Sequence, residues 1–128
     1  MSKYSEKNFL KSFGYALHGL RIALKSQKNF KRQIIIGFLS VIAGFYMHFS
    51  IIEFCILLML IAMVLICELF NSVIEFMLDS VFKNKYSKLV GMSKDMAAGA
   101  VCLASTFTLI TGVILFSSKI VPIVQGLI

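Results

Sequence analysis

The sequence CELFNSVIEFMLD, residues 67–79, begins at the last residue of an uninterrupted run of fourteen apolar residues, Phe54 to Cys67. On an α-helix, which advances about 100° per residue, the polar side chains of this stretch share one face roughly 100° wide. They are Glu68, Asn71, Ser72, Glu75 and Asp79. Carboxylates are costly to place in a membrane, so a stripe of three that continues an apolar span indicates a functional site.

The composition around this stretch is that of a membrane protein. The chain has 128 residues, of which 59% are hydrophobic, and a single proline. This length predicts one domain, and the apolar fraction is too high for a soluble domain of this size. The three cysteines, Cys55, Cys67 and Cys102, lie in apolar runs without a CxxC spacing. We therefore expect them to act as small hydrophobic residues rather than as disulfides or zinc ligands.

Twelve of the thirteen positively charged residues lie in two segments. Eight of the thirteen Lys and Arg residues precede residue 34, four lie from Lys83 to Lys94, and the last is Lys119. Three apolar runs separate these charges, which argues against a nucleic-acid-binding surface. The connection near Ser50 carries Glu53 but no Lys or Arg, so the positive-inside rule places it outside and the two basic segments in the cytoplasm.

We predict an all-α membrane protein with an amphipathic surface helix and three membrane helices. In the surface helix, residues 4–28, apolar side chains recur every three or four positions among basic ones, as in helices that lie in the headgroup region. The membrane helices are predicted over 30–50, 51–82 and 94–117, with Lys94 and Asp95 opening the last of them. Lys119 and Pro122 are interpreted as its stop signals.

Small residues recur every four positions in the last predicted span, at Ala100, Ala104, Thr108 and Gly112. A seam of this kind allows close helix packing in lipid. It would serve contacts within one subunit or between subunits, and the sequence leaves both open.

The acidic stripe favours phosphoryl transfer without proving it. Carboxylate and amide oxygens suit Mg²⁺, which commonly bridges to substrate phosphates. A neighbouring carboxylate would take a proton from an attacking hydroxyl. Since phosphoryl transfer depends mainly on positioning and charge neutralisation, a small protein is sufficient for it. From the residues alone, a transporter with functional carboxylates and a non-catalytic assembly module stay open as alternatives.

Two motifs resemble one known family. The pattern ELxNSxIExxxD at Glu68–Asp79, followed by KDMAAGAV at Lys94–Val101, resembles the prokaryotic membrane diacylglycerol kinase and undecaprenol kinase family. The segments GYAxxGLR at Gly14–Arg21 and FKRQ from Phe30 extend the similarity over nearly the whole chain. The resemblance implies a homotrimer with composite sites between subunits, in the inner membrane of a bacterium. It also implies transfer of the γ-phosphate of ATP to a lipid alcohol at the cytoplasmic face.

The resemblance also implies roles for individual residues. Glu68 resembles the general base, Glu75 a ligand of the magnesium that accompanies ATP, and Asn71 a polar group that supports the site. Lys94 resembles a phosphate contact and Asp95 an acidic residue on the nucleotide side. The remaining expected nucleotide contacts are Tyr15 and Tyr86. For Asp79, a structural hydrogen bond is an equally good interpretation.

One position departs from the pattern of that family. Where it usually has a second metal-binding glutamate, this chain has Gln27, next to Lys28. An amide oxygen can bind a hard cation but supplies no negative charge, so an active kinase and a weakened one are both compatible with the sequence. The lipid is also undetermined: SQKN at Ser26–Asn29 is closer to undecaprenol kinases, whereas FKRQ and KDM are closer to diacylglycerol kinases.

Overall fold

The computed structural model describes residues 8–83, 85 and 87–127, and within these residues all regular secondary structure is α-helical. The predicted all-α class is confirmed. Four helices follow one another along the chain: α1 Phe9–Ser26, α2 Lys28–Tyr46, α3 Ile51–Phe82 and α4 Lys88–Leu127.

Helix α1 is a largely exposed amphipathic helix. The Asn8 side chain caps its start by accepting a hydrogen bond of 2.9 Å from the Lys11 N–H. Ala23 is its one buried residue, and the stacked rings of Phe9 and Phe13 are exposed. The apolar stripe therefore remains uncovered by the rest of the described chain. Residues 4–7 of the predicted surface helix lie outside the described residues.

A tight turn joins α2 to α3. His48 adopts a left-handed backbone conformation with φ 56°, and the Phe49 N–H donates to the Gly44 carbonyl. Helix α3 then begins with a capping box: Ser50 Oγ accepts from the Glu53 N–H at 3.2 Å, and Glu53 Oε1 accepts from the Ser50 N–H at 3.3 Å. These bonds satisfy backbone groups that a hairpin turn would otherwise leave unpaired.

Aromatic rings pack around this turn. Phe54 contacts Phe45 and Phe49 at centroid distances of 4.8 and 5.6 Å, and Phe49 contacts Phe116 at 4.9 Å. The cluster therefore joins α2, the turn, α3 and α4. Gly44 lies directly beneath two of the rings: a Cβ atom there would be 2.9 Å from Phe54 and 3.2 Å from Phe49.

Helices α3 and α4 run antiparallel and are joined by an ion pair near each end. Lys94 Nζ lies 2.6 Å from Asp79 Oδ1, and Lys119 Nζ lies 2.9 Å from Glu53 Oε1. Buried apolar residues recur at heptad spacing on each helix, as in helices that cross at a small angle. They are Leu57 and Val64 on α3, and Val90, Ala97 and Ala104 on α4.

The small-residue seam on α4 mostly faces the inside of this bundle. Ala104 is buried, whereas Ala100 is exposed. Thr108 and Gly112 line an apolar cavity of about 330 Å³ between α2, α3 and α4. Ala104 therefore packs within the subunit. Whether the rest of the seam serves contacts within one subunit or between subunits stays open.

The ends of α4 differ from the predicted range. The helix begins at Lys88 rather than at Lys94, because Ser87 Oγ accepts a hydrogen bond from the Val90 N–H at 3.2 Å and caps the first turn. It continues past Lys119 and Pro122 to Leu127. Proline removes one intrahelical hydrogen bond, which weakens the helix at that point without ending it.

Within the described residues, α3 and α4 are the helices long and apolar enough to cross a membrane. Helix α2 has 19 residues and carries Lys28, Lys31 and Arg32 in its first turns. The third membrane span therefore stays a prediction.

We predict that Gly44→Ala destabilises the bundle, because the added methyl group would press against two packed rings. Overpacking of this kind costs about 1–3 kcal/mol, which should lower the melting temperature of the detergent-solubilised protein. Gly112→Ala is the matched control, since a Cβ atom there meets no atom of the described residues within 4 Å. Because Ala favours a helix over Gly at both positions, an equal loss in both variants would show that the Phe49 and Phe54 contacts are not its cause.

Candidate active site

The acidic stripe faces the interior of the bundle at one end of α3. Glu68 and Ser72 are each only 4% exposed, and Asn71, Glu75 and Asp79 are half-buried. The predicted shared face is therefore present. Ser72 Oγ donates to the Glu68 backbone carbonyl at 3.0 Å. Within the described part of the chain, no hydrogen-bond donor contacts the Glu68 carboxylate, so it is available to a bound group.

Besides Glu68 and Ser72, the acidic stripe includes a hydrogen-bonded pair, Asn71 and Glu75. Asn71 Nδ2 donates a hydrogen bond of 3.4 Å to Glu75 Oε1. Asn71 Oδ1 is buried and has no hydrogen-bond partner among the residues that the structure describes. A buried acceptor without a partner is costly unless a ligand satisfies it. The pair therefore offers neighbouring hard oxygen atoms of the type that Mg²⁺ prefers.

The described residues hold no group of three or more metal-ligating acidic, His or Cys side chains. Such a group is unnecessary for Mg²⁺, which usually retains waters and binds through one or two carboxylates together with substrate phosphates. Glu75 and the free oxygen of Asn71 are therefore a chemically reasonable donor set for magnesium bound to a nucleotide.

A polar cavity of about 250 Å³ opens beside the last turns of α3. Its charged residues are Asp79, Lys85, Lys94 and Asp95, and Gly91 allows close approach to the α4 backbone. Lys94 is held by Asp79, whereas Lys85 makes no ion pair with any residue in the described ranges. The cavity thus combines cations for phosphate groups with an acid that can accept hydrogen bonds from hydroxyl groups.

The structure groups the predicted α3 and α4 residues in two neighbouring sets: Glu68 and the Asn71–Glu75 pair on one face of α3, and Lys94 and Asp95 at the cavity beside Asp79. Lys85 and Gly91 were missed as cavity residues, although Lys85 belongs to the basic segment that the sequence indicated. The alternative proposed for Asp79 is present, since its carboxylate accepts a hydrogen bond from Lys94.

The remaining predicted site residues are Gln27, Tyr15 and Tyr86. Gln27 separates α1 from α2 in an extended conformation, and no hydrogen bond joins its side chain to Glu75 among the described residues. Tyr15 is half-exposed on α1. Tyr86 lies outside the described residues.

Comparison with known proteins gives one consistent family. The model of the prokaryotic diacylglycerol kinase family matches residues 14–116. An undecaprenol kinase of Bacillus subtilis is 34% identical over 112 residues, which cover 88% of this chain and 90% of the relative. A diacylglycerol kinase of Synechocystis is 34% identical over 105 residues, covering 82% of this chain and 60% of the relative. A diacylglycerol kinase of Escherichia coli K12 is 31% identical over 109 residues, which cover 85% of this chain and 88% of the relative.

We predict that exchanging the two charges, Asp79→Lys with Lys94→Asp, restores stability that either single substitution removes. Each single variant places like charges together, and the double variant re-forms a pair of opposite charge. Because both side chains are about 40% exposed, the coupling should stay below about 1 kcal/mol. A double-mutant cycle of thermal unfolding in detergent measures it. Additive losses in the double variant would mean that the pair contributes nothing to the register of α3 and α4.

Proposed function

The chain belongs to the prokaryotic diacylglycerol kinase family, and from this premise we propose that it is an ATP-dependent lipid kinase. It transfers the γ-phosphate of ATP to the hydroxyl group of a membrane lipid alcohol. The substrate is diacylglycerol, which gives phosphatidic acid, or undecaprenol, which gives undecaprenyl phosphate. The observation that carries this proposal is one helix face on which buried Glu68 precedes the Asn71–Glu75 pair and the cavity of Asp79 and Lys94.

In the proposed reaction, Glu68 is the general base. Its carboxylate accepts the proton of the lipid hydroxyl while the hydroxyl oxygen forms a bond to the γ-phosphorus. The bond from that phosphorus to the bridging oxygen breaks, and ADP leaves. Burial of Glu68 at 4% exposure supports this role, because a buried carboxylate without a donor is free to take a proton from a bound alcohol.

The next turn of α3 would hold the metal. Bound Mg²⁺ would neutralise the charge of the ATP phosphates. Glu75 and the unpaired Asn71 oxygen are its proposed ligands, and the hydrogen bond between these side chains keeps the carboxylate oriented. Gln27 is proposed as an additional ligand, contributed through the joint between α1 and α2.

The polar cavity would receive the nucleotide. Lys94 is proposed to contact a phosphate, and Lys85 provides further positive charge at the same opening. Asp95, exposed at the cavity, would accept hydrogen bonds from the nucleotide. Tyr15 on α1 and Tyr86 are proposed as further nucleotide contacts.

The membrane arrangement of the proposed kinase follows the charge distribution. α2, α3 and α4 cross the cytoplasmic membrane of a bacterium, α1 lies on its cytoplasmic surface, and the site faces ATP in the cytoplasm. A homotrimer is proposed, in which a neighbouring subunit covers exposed apolar surfaces and completes the site. The exposed apolar stripe of α1 supports its proposed place on the membrane surface, since the rest of the described chain leaves the stripe uncovered.

A mixed-micelle assay tests the proposed activity. Labelled ATP is offered with diacylglycerol and undecaprenol in separate reactions, and the phosphorylated lipid is extracted. Transfer to one lipid identifies the substrate class. Transfer to neither would favour a non-catalytic membrane protein whose carboxylates bind ions or partners.

We predict that Glu68→Gln lowers turnover by about 10²–10⁴-fold, the usual contribution of a general base. Glutamine is nearly isosteric, so the variant should fold and keep its helix content. Glu53→Gln is the matched control, because it removes an acid from the opposite end of the same helix and should retain turnover below its melting temperature. Turnover of Glu68→Gln near that of the unmodified protein would remove Glu68 from the base role.

We predict that Gln27→Glu lowers the Mg²⁺ concentration needed for half-maximal turnover, because an anionic oxygen replaces a neutral one at the proposed metal site. The effect at saturating Mg²⁺ should be smaller. Asn29→Asp is the control: it adds the same charge two positions away on an exposed residue and should leave the Mg²⁺ requirement unchanged. Equal shifts in both variants would indicate a general charge effect rather than ligation by residue 27.

A further inference from the structure

Helix α4 continues beyond residue 116, where the family match ends, as an apolar extension. Its apolar residues form one face about 160° wide on an ideal helix. They are Ile120, Val121, Ile123, Val124 and Leu127, and all are more than 40% exposed. Pro122, Gln125 and Gly126 lie on the opposite face. In a membrane protein, such an exposed apolar face is expected to contact another apolar surface, either lipid chains or protein.

The depth of the bundle in the membrane can be read from α2. Ile61 of α3 lies against Gly37 of α2. Lys31 lies about 9 Å from this contact along α2, and Glu68 lies about 10 Å from it along α3. Because the two helices are antiparallel, both residues lie toward the same end of the bundle. The exposed cations of α2 and the carboxylate of α3 therefore lie at nearly the same depth. Charged groups avoid hydrocarbon, so this level marks the hydrocarbon boundary nearer the candidate site.

Near the other end of the hairpin, the Glu53–Lys119 pair lies short of the second boundary. Glu53 lies about 22 Å from Glu68 along α3, whereas the hydrocarbon core is about 30 Å thick. Lys119 is at the depth of Glu53, because the two side chains form an ion pair. The segment of α4 after Lys119 adds about 12 Å of helix to Leu127, which more than covers the difference.

We propose that residues 120–127 are a distal-leaflet anchor, meaning a segment embedded among the acyl chains of the leaflet farther from Glu68. The apolar face of the anchor contacts these chains, and the Glu53–Lys119 pair lies beneath the distal headgroups. This inference concerns the membrane contact of the chain and does not depend on kinase activity.

The Glu53–Lys119 ion pair can lie within the membrane because the two opposite charges contact each other. Glu53 Oε1 accepts hydrogen bonds from Lys119 and from the Ser50 backbone, and the side chains are only 20% and 29% exposed. Ionisable groups within a membrane normally pair in this way and face the protein. The pair also attaches α4 to the short hairpin at the point where the anchor begins.

Fluorescence depth measurement tests the proposal. The three native cysteines are first replaced by alanine, and Val124→Cys and Lys88→Cys are introduced separately into this chain. Each variant is labelled with a nitrobenzoxadiazole probe and reconstituted into phosphatidylcholine–phosphatidylglycerol vesicles. Quenching by lipids with nitroxides on their acyl chains is compared with quenching by aqueous iodide on both sides of the membrane. Lys88, exposed in the first turn of α4, is the aqueous control.

The proposal predicts that the probe at residue 124 is quenched by the acyl-chain nitroxides, with an iodide quenching constant roughly tenfold below that at residue 88, because hydrocarbon excludes ions. Equal iodide quenching at the two sites would overturn it and show that the bilayer thins to the length of the hairpin. Weak quenching by both reagents, together with disulfide crosslinking of Leu127→Cys between subunits, would also overturn it and identify a second copy of the chain as the partner.

Discussion

Two ion pairs between α3 and α4, near opposite ends of the helices, fix the register on which the candidate site depends. Asp79 and Glu53 lie about 39 Å apart along α3, and their partners Lys94 and Lys119 lie about 37 Å apart along α4. These lengths match, so both pairs form at once, and a slide of one turn would break both. Partly exposed pairs contribute little free energy, so apolar packing holds the helices together while the charges select their alignment.

This register arranges the candidate chemistry by depth on a single helix. Glu68 lies at nearly the same membrane depth as Lys31 in the first turns of α2, and Glu75 lies about 10 Å further from the membrane centre. A lipid hydroxyl at the boundary and a nucleotide outside it would therefore meet along one face of α3. The proposed transfer requires no large rearrangement of the α3–α4 pair. The joint at Gln27 is different, because there a single extended residue connects the largely exposed α1 to the bundle.

Helical periodicity was sufficient to predict the shared face of Glu68, Glu75 and Asp79, since these residues lie on one regular helix. It could not predict the pairing of Asp79 with Lys94, which depends on the register of two helices separated by a connection. The start of α4 was placed at Lys94 because the Ser87 cap lies in a polar, basic segment typical of a loop. Its continuation past Pro122 was missed because proline in the sequence usually marks a helix end, whereas one lost hydrogen bond is tolerated here. Whether Gln27 joins Glu75 depends on the position of α1, which local patterns do not determine.

Lys94 connects the structural constraint with the proposed function. An ammonium group has three N–H donors, and the contact with Asp79 uses one of them. Two donors remain for phosphate oxygens, so nucleotide binding would not require the α3–α4 pair to break. Asp79 would also keep Lys94 directed toward the cavity before the nucleotide arrives, which reduces the side-chain entropy lost on binding. The same residue can therefore maintain the register of the helices and hold the phosphate that this register positions relative to Glu68.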